Sequence, residues 1–466
     1  MRLTWADSLR AEATYRVTVG GRTTDSHSNP IKSPFTFAFS TGDAVDLGCI
    51  AGKVKSPDEK VGVVDIFAYR TDHITDTFWL DPPDYLTQTG ERGAFDLPYL
   101  KGGTYRLLAM ADANRNHRLD PGERFGLARE VETRDSLTPD SIFVFTSVYD
   151  TTVSRLTGCA LAAGEGITLT FSRPIDTTNW NRAEFRVRDS LTGESLSITA
   201  VPPSIRHPAA VLLLSDSLAA GRRYVLLVQN LYDPQGRPMA SPDSCRVSYQ
   251  VLPDSVGPRV EWVYLPTLKE ATSPRSPVLW SFSEPVDSTR LREGISVEDS
   301  SGGAIAGRTI WSDPRTVCFS PTGAWPESTT IVMTIDSLRL FDRSGNPAPK
   351  QPFRWTFTPL TASATGTLEG QVEVRDSSEA NIACQLQLQA VGAETRVTHT
   401  VEAPGDFSID LPAGRWVLGG FLDLDGNRHW NPGSLGPYAP PEPRVLRDDT
   451  LTVRARFTLE DVVLRF

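Results

Sequence analysis

The chain has 466 residues, enough for about three to five domains, and its 39% apolar and 22% charged residues are typical of folded protein. Its formal net charge of −10 argues against nucleic acid as a partner, because nucleic-acid binding depends mainly on Lys and Arg that neutralise phosphates. The longest apolar runs, such as residues 210–214, are far shorter than the ~20 residues of a membrane-spanning helix, so we predict no membrane span in this chain.

The first segment, residues 1–44, has the pattern of the last part of a β-sandwich. Two runs of alternating apolar residues, 15–19 and 35–39, flank a polar turn, as in a hairpin whose strands are half-buried. No earlier strand of such a sandwich precedes Tyr15. We therefore expect the chain to begin in the middle of a domain, as a fragment of a longer protein. No secretory signal is visible at the N-terminus, so a signal for export would lie outside this chain.

The same strand, turn and strand recur twice further along the chain. The three turns share an Asp followed four residues later by Asn or Arg and then by proline: Asp25 and Asn29-Pro30, Asp233 and Arg237-Pro238, Asp342 and Asn346-Pro347. Asp bonds readily to its own backbone in turns, and proline stops the turn from propagating. The two later copies also share an early strand, in which Phe171 and Phe282 are 111 residues apart. We therefore predict complete modules at residues 153–254 and 255–361.

These residues resemble the bacterial Ig-like domains of S-layer and other surface proteins. The family pattern contains a Phe-Ser-x-Pro-hydrophobic-Asp strand and a late Asp-x-x-Gly-Asn-Pro turn. Residues 342–347 match the turn fully, and residues 233–238 depart from it only at Arg237. The resemblance covers residues 1–43 in part and about 155–359 in full. It implies Ig-like β-sandwiches, a fold that serves mostly as a spacer or scaffold.

The remaining residues contain a second repeat, at 45–152 and 362–466. In each copy a Gly-x-Phe-x-hydrophobic strand is followed by a Gly-x-aromatic strand; Tyr105 and Trp416 are 311 residues apart, and so are Asp112 and Asp423. This pattern resembles the transthyretin-like, carboxypeptidase regulatory-like β-sandwich. The resemblance implies an all-β protein in which Ig-like and transthyretin-like β-sandwich domains follow one another in tandem as a multi-domain rod.

An acidic loop follows the Gly-x-aromatic strand in both copies of this second repeat. In the first copy, oxygen-bearing side chains occupy positions 1, 3, 5, 9 and 12 of the loop, the spacing of an EF-hand calcium loop: Asp112, Asn114, Asn116, Asp120 and Glu123. His117 replaces the usual glycine at position 6, and the preceding segment has the pattern of a strand rather than a helix. The second copy keeps the first four positions: Asp423, Asp425, Asn427 and Asn431.

Calcium is one candidate ligand of these loops, because a hard cation takes six to eight oxygen ligands. The alternative is that Asp and Asn bend a long loop by bonding to its backbone. No catalytic residue is predicted, since the six histidines form no His-Glu-x-x-His pair and no Gly-x-Ser-x-Gly motif is present. Successive members of the five cysteines lie 66 to 110 residues apart, which predicts neither a metal knuckle nor a redox pair; we expect most of them to be buried as small apolar side chains.

The sequence therefore predicts a non-enzymatic, structural or adhesive array of modules in a bacterial cell-surface or secreted protein. One alternative is a module that binds a glycan or a protein through its loops, with Trp430 as the aromatic side chain to test for sugar stacking. Another alternative is the accessory region of an exported hydrolase whose catalytic domain lies upstream of this chain.

Overall fold

The computed structural model describes the whole chain except residues 1–7, 21–22, 28, 30, 32–33, 57–61, 134–141, 151, 163–165, 178–179, 205, 235, 241–242, 268–270, 272 and 352. Regular structure in this part is almost entirely strand, and its one α-helix is the four-residue α1 (Ser288–Leu291). The predicted all-β architecture is confirmed. Short 3-10 turns occupy Phe78–Leu80, Glu91–Gly93, Trp180–Arg182, Arg292–Gly294, Ala362–Ala364 and Ser377–Glu379. The described residues contain no helix with the length and apolarity needed to cross a membrane.

The chain divides into two compact units. Unit 1 comprises Met1–Thr152 and Trp430–Val445, and unit 2 comprises Val153–His429 and Leu446–Phe466.

Unit 1 begins with a two-stranded sheet, here called the first hairpin, made of β1 (Thr14–Val19) and β2 (Phe35–Ser40). It continues with sandwich I, whose strands are β3 (Gly48–Lys55), β4 (Asp65–Arg70), β5 (Tyr85–Gln88), β6 (Ala94–Leu100), β7 (Gly103–Ala111), β8 (Arg124–Leu127), β9 (Val131–Thr133), β10 (Ile142–Phe145) and β11 (Ser147–Val148). One sheet has the order β10-β3-β6 and the other β11-β8-β7-β4-β5, with β9 beside β7.

Side-chain alternation explains how these two sheets form a core. Along β3 every second residue is buried, including Ile50 and Val54, while the residues between them are partly exposed. These side chains meet Tyr105 and Leu107 from β7 in one continuous apolar cluster. The other face of the β4–β7 sheet is apolar as well and forms a second cluster, which includes Phe78 and, from the segment 430–445 of the same unit, Leu435.

Unit 2 contains three further sandwiches. The strands of sandwich II are β12 (Leu156–Ala162), β13 (Gly166–Phe171), β14 (Glu184–Asp189), β15 (Ser195–Leu196), β16 (Thr199–Val201), β17 (Ala210–Leu214), β18 (Arg223–Gln229) and β19 (Asp243–Ser248). The strands of sandwich III are β20 (Val260–Tyr264), β21 (Val278–Phe282), β22 (Ile295–Asp299), β23 (Gly307–Asp313), β24 (Thr316–Pro321), β25 (Ile331–Ile335) and β26 (Phe353–Phe357). The strands of sandwich IV are β27 (Thr365–Glu373), β28 (Ile382–Ala390), β29 (Arg396–Ala403), β30 (Gly405–Pro412), β31 (Gly414–Leu422), β32 (Arg444–Leu446), β33 (Leu451–Val453) and β34 (Thr458–Arg465). Of these strands, β32 alone has residues in unit 1, since that unit ends at Val445.

Sheet topology repeats in two pairs of sandwiches. Sandwiches II and III each contain a four-stranded sheet, ordered β12-β13-β17-β16 and β20-β21-β24-β23, opposite a sheet that ends in the late hairpin β18–β19 or β25–β26. Sandwiches I and IV each pair their first strand in parallel with their last long strand, β3 with β10 and β27 with β34. The two internal repeats seen in the sequence therefore correspond to two recurring topologies.

The structure corrects the expectation that most of the cysteines are buried as small apolar side chains. Cys159 on β12 and Cys245 on β19 form a disulfide, with Cα atoms 6.3 Å apart and a sequence separation of 86 residues. The expectation that cysteines are buried as small apolar side chains is therefore wrong for this pair, because spacing along the chain does not report which strands meet across a sandwich. The other three cysteines, Cys49, Cys318 and Cys384, are free thiols. Cys384 is buried as expected, whereas Cys49 and Cys318 are partly exposed, so the expectation is wrong for these two as well.

Candidate functional site

The first acidic loop begins where β7 ends, with the buried side chain of Asp112. Its carboxylate accepts main-chain N–H bonds from Arg115 at 2.5 Å, Asn116 at 3.2 Å and His117 at 2.8 Å. A carboxylate in this position folds the loop back over the end of the strand.

The other predicted ligands of this loop form hydrogen bonds with one another and with the loop backbone. The side-chain amides of Asn114 and Asn116 each donate to Asp120 Oδ2 at 2.7 Å, and these two bonds hold the pKa of Asp120 below its usual value. Glu123 accepts the main-chain N–H groups of Ala113 and Asp120 at 2.9 and 3.0 Å. The structure therefore brings all five predicted side chains into one hydrogen-bonded loop.

Both acidic loops share an unusual backbone conformation. Arg115 and His117 have positive φ angles of 62° and 56°, and the residues 311 positions later, Gly426 and Arg428, have φ angles of 69° and 62°. Left-handed conformations are costly for residues other than glycine. His117 at position 6 therefore does not prevent the sharp turn, since the loop forms it with a non-glycine residue in each copy.

A neighbouring carboxylate at the first loop was not found from the sequence. Asp65, fully buried on β4, has an oxygen within 4.8 Å of ligand atoms of Asp112 and His117. It also accepts a bond from Gln88 at 2.6 Å. The only signal in the sequence is a charged residue at the start of the buried strand β4. Two buried carboxylates side by side favour a bound cation, because like charges in a protein interior repel strongly.

In the second loop, Asp423 occupies the place of Asp112. Its Oδ2 accepts the main-chain N–H of Arg428 at 3.0 Å and the side-chain amide of Gln385 at 3.3 Å, whereas its buried Oδ1 has no hydrogen-bond partner among the described residues. Asn427 donates to Asp425 from both its main-chain and side-chain nitrogens at 3.0 Å. A buried carboxylate oxygen without a donor is costly unless something binds it.

The remaining predicted residue, Asn431, belongs to unit 1, where its side-chain oxygen accepts the N–H of Gly433 at 3.0 Å. Trp430 lies beside it and donates from Nε1 to the carbonyl of Glu442 at 3.0 Å. The guanidinium of Arg444 lies 4.7 Å from the centre of the Trp430 ring. One face of this indole is therefore occupied by a cation rather than open to a sugar.

The Asp-containing turns predicted from the repeat have one geometry in all three copies. Asp25, Asp233 and Asp342 each accept the main-chain N–H of the residue four positions later on Oδ1, at 2.8 to 3.0 Å. On Oδ2 they accept that residue's side-chain N–H, from Asn29, Arg237 or Asn346. Asn and Arg are interchangeable here because each supplies such a donor. Of the prolines that follow, Pro30 lies outside the described residues.

A second carboxylate cluster, also missed from the sequence, lies within unit 2. Oxygens of Asp254, Glu284 and Asp342 lie within 4.8 Å of one another, in a cavity of about 520 Å³. Burial, and then the two neighbouring carboxylates, raise the pKa of Glu284 to about 7. In the matching strand of sandwich II the position of Glu284 is held by Arg173, so the clustering of negative charge is particular to sandwich III.

One histidine forms a polar contact inside unit 2. His429 Nε2 lies 3.1 Å from Oδ2 of the largely buried Asp176. This bond raises the pKa of His429, and the nearby Asp233 and Asp423 act in the same direction. Burial opposes them, since it disfavours the charged imidazolium.

Comparison with known proteins assigns one of the four sandwiches to a family. Residues 254–359 match the family described as "Bacterial Ig-like domain". Sandwich III matches this family. The matched residues include all of its strands, from β20 to β26, together with its Asp-Asn turn. No curated protein sequence matches the chain.

Several solved structures resemble the chain at low identity. The N-terminal part of the bacterial S-layer protein SbsC is 11% identical over 45% of this chain and 44% of its own length, with a TM-score of 0.19. BcpA, the major pilin subunit of Bacillus cereus, is 11% identical over 90% and 98%, with a TM-score of 0.16. SGBP-B of the Bacteroides ovatus mixed-linkage glucan utilization locus, solved with a heptasaccharide, is 13% identical over 94% and 91%, with a TM-score of 0.19. No functional conclusion follows from scores this low.

Proposed function

We propose that this chain is a non-catalytic, load-bearing region of an exported bacterial surface protein. Its structural units are the five modules predicted from the sequence, with boundaries near residues 45, 153, 255 and 362. Sandwiches II and III are the Ig-like modules, and the first hairpin is part of a third. Sandwiches I and IV, with their shared topology and acidic loops, are the transthyretin-like modules.

The disulfide of sandwich II is the observation that carries this proposal. Cys159 lies three residues after the start of β12, and Cys245 lies three residues before the end of β19. Tension applied to the two ends of sandwich II therefore passes through a covalent bond instead of through the fold. Disulfides persist in oxidising compartments and are rare in the cytosol, which supports export.

The test is the redox state and accessibility of the chain in intact bacterial cells. A maleimide reagent that cannot cross membranes is added to intact cells, the protein is then denatured in its presence, and modification is measured as a gel shift. Cys159 and Cys245 should stay unmodified until a reductant is added. Cys49, Cys318 and Cys384 should react after denaturation without reduction, and they serve as internal controls. Protease added to intact cells should remove the chain. Reduced Cys159 and Cys245, together with protection from protease, would refute the proposal.

We also propose Ca²⁺ as the ligand of the two acidic loops. Two observations support a cation there: Oδ1 of Asp423 is buried with no hydrogen-bond partner in the described part of the chain, and the buried carboxylates of Asp65 and Asp112 are adjacent. Calcium should raise the melting temperature relative to chelator, because a ligand that binds only the folded state stabilises it by about 2.7 kcal/mol at 100 times Kd. Asp112→Ala should reduce the shift, whereas Asp76→Ala, at an exposed aspartate of the same unit, should not. An equal melting temperature with calcium and with chelator would identify both loops as plain turns.

A further inference from the structure

The first hairpin presents one apolar face. Opposite residues of an antiparallel pair point to the same side of a sheet, and here the pairs on one side are all apolar: Tyr15 with Phe39, Val17 with Phe37, and Val19 with Phe35. Phe35 and Phe37 remain 61% and 41% exposed, and Val17 and Val19 are only partly buried. Exposed phenylalanines adjacent on one sheet face mark a surface that another molecule covers.

The same hairpin occurs in sandwich III, where its face packs in the core and only Trp355 is partly exposed. The pairs there have the same register: Ile331 with Phe357, Met333 with Trp355, and Ile335 with Phe353. The three β25 side chains are at most 2% exposed. They share one core cluster with Trp280 and Phe282 from β21 and with Val317 from β24. In the complete sandwich this face is thus covered by a second sheet.

The edge of β1 that faces away from β2 is the second part of this surface. In sandwich III the strand β25 pairs with β26 on one side and antiparallel with β22 on the other. In sandwich II the strand β18 likewise lies between β14 and β19. Within the described residues, β1 pairs with β2 alone. An open strand edge beside an apolar face can bind one more strand through main-chain hydrogen bonds.

We propose that the first hairpin is a docking surface for the complementary part of an Ig-like β-sandwich, contributed by polypeptide outside residues 1–466. That partner supplies one strand antiparallel to β1, as β22 is to β25. It also supplies a facing sheet whose inward side chains are apolar, as those of β21 and β24 are. A second copy of this chain does not fit this role, because its own sheets of this kind already cover β18–β19 and β25–β26.

The experiment supplies such a partner from the chain itself. A copy of residues 254–330, which holds β20 to β24 but lacks the late hairpin, is fused ahead of the full chain through a flexible Gly-Ser linker. Hydrogen exchange is then measured at residues 14–19, together with the fluorescence of an apolar dye that binds exposed hydrophobic surface. We expect amide exchange there to slow at least tenfold and the dye signal of the unfused chain to fall. A second fusion, in which residues 254–359 with their own hairpin precede the full chain, is the control that a segment fused at this position folds.

Two variants of this fusion separate docking from unrelated effects. Phe37→Glu should restore fast exchange at residues 14–19, whereas Ile310→Glu, at a residue 51% exposed on β23 of sandwich III, should not. Sedimentation of the unfused chain tests whether a second copy of the chain covers this face instead. The proposal is overturned if exchange at residues 14–19 is the same with and without the fused copy. It is also overturned if the unfused chain forms a dimer that Phe37→Glu disperses, because a second copy then covers the face.

Discussion

Breaking the disulfide between Cys159 and Cys245 should make sandwich II extensible under force. In the oxidised protein, only residues outside the 86-residue span between the two cysteines can lengthen when this sandwich unfolds. Strand β12 starts at Leu156 and β19 ends at Ser248, so the disulfide leaves three residues of the sandwich free at each end. Reduction releases 86 residues, which at about 3.5 Å each add about 300 Å of contour length.

Single-molecule force spectroscopy measures this increment directly, with the chain held at its two ends. Oxidised protein should give no extension step assignable to sandwich II, whereas reduced protein or Cys159→Ser should gain one step longer by about 300 Å. Cys318→Ser, which removes a free thiol, should behave as the wild type. If the set of steps is the same with and without reductant, the two cysteines are not bonded in the folded protein, and the load-bearing proposal loses its main support.

Equilibrium unfolding gives an independent measure of the same bond. Closing an 86-residue loop in the unfolded chain stabilises the fold by about 4.5 kcal/mol in the chain-entropy treatment. Trp180 is the only tryptophan between residues 153 and 254, and it packs against Phe185 in sandwich II. Its fluorescence, isolated by comparison with Trp180→Phe, should show a lower midpoint in urea after reduction.

Three further predictions concern single side chains. Glu284→Gln should raise the melting temperature of unit 2 at pH 8 but not at pH 5. The reason is that Glu284, with its pKa raised from 4.5 to about 7, destabilises the fold as it ionises with rising pH. An equal effect of the substitution at both pH values would contradict this. The contact of His429 with Asp176 stabilises the fold below pH 6.5, and this stabilisation is lost as pH rises through the raised pKa of His429. The wild type should therefore lose about 1 kcal/mol of unfolding free energy between pH 6 and 8.5, seen as a fall in melting temperature that His429→Gln removes. His117→Gly should raise stability by about 1 kcal/mol by relieving a left-handed residue, whereas Arg118→Gly should lower it in the same thermal melt.

Local patterns in the sequence were enough to predict the strands and the repeats. Period-two alternation marks β2 and β26, because apolar side chains lie on one face of each strand; in β26 Phe353 and Phe357 on that face are buried in the core of sandwich III. The four-residue spacing from Asp342 to Asn346 was also informative, since one carboxylate bonds both the main chain and the side chain of the later residue. Such features depend on neighbours within a few residues, which a sequence displays directly.

Contacts between distant segments could not be predicted in the same way. Asp65 and Asp112 are adjacent only because β4 and β7 pair in one register, in which Asp65 lies opposite Met110. The bond from Cys159 to Cys245 depends on two strands of different sheets that meet at the edge of a sandwich. Register and sheet packing are set by many weak contacts together, so no single residue type marks such a pair in advance.

The division of unit 1 into two stretches of chain has a consequence for how the protein assembles as it is synthesised. Its second apolar cluster contains Phe78, which is 1% exposed, and Leu435, which is 3% exposed. A chain emerging from its N-terminus completes residue 152 long before it reaches residue 430, and at 5–20 residues per second the interval is roughly 15 to 55 s. During that interval the face around Phe78 lacks its cover and is open to chaperones and to aggregation. A protein truncated before residue 430 would keep this liability permanently.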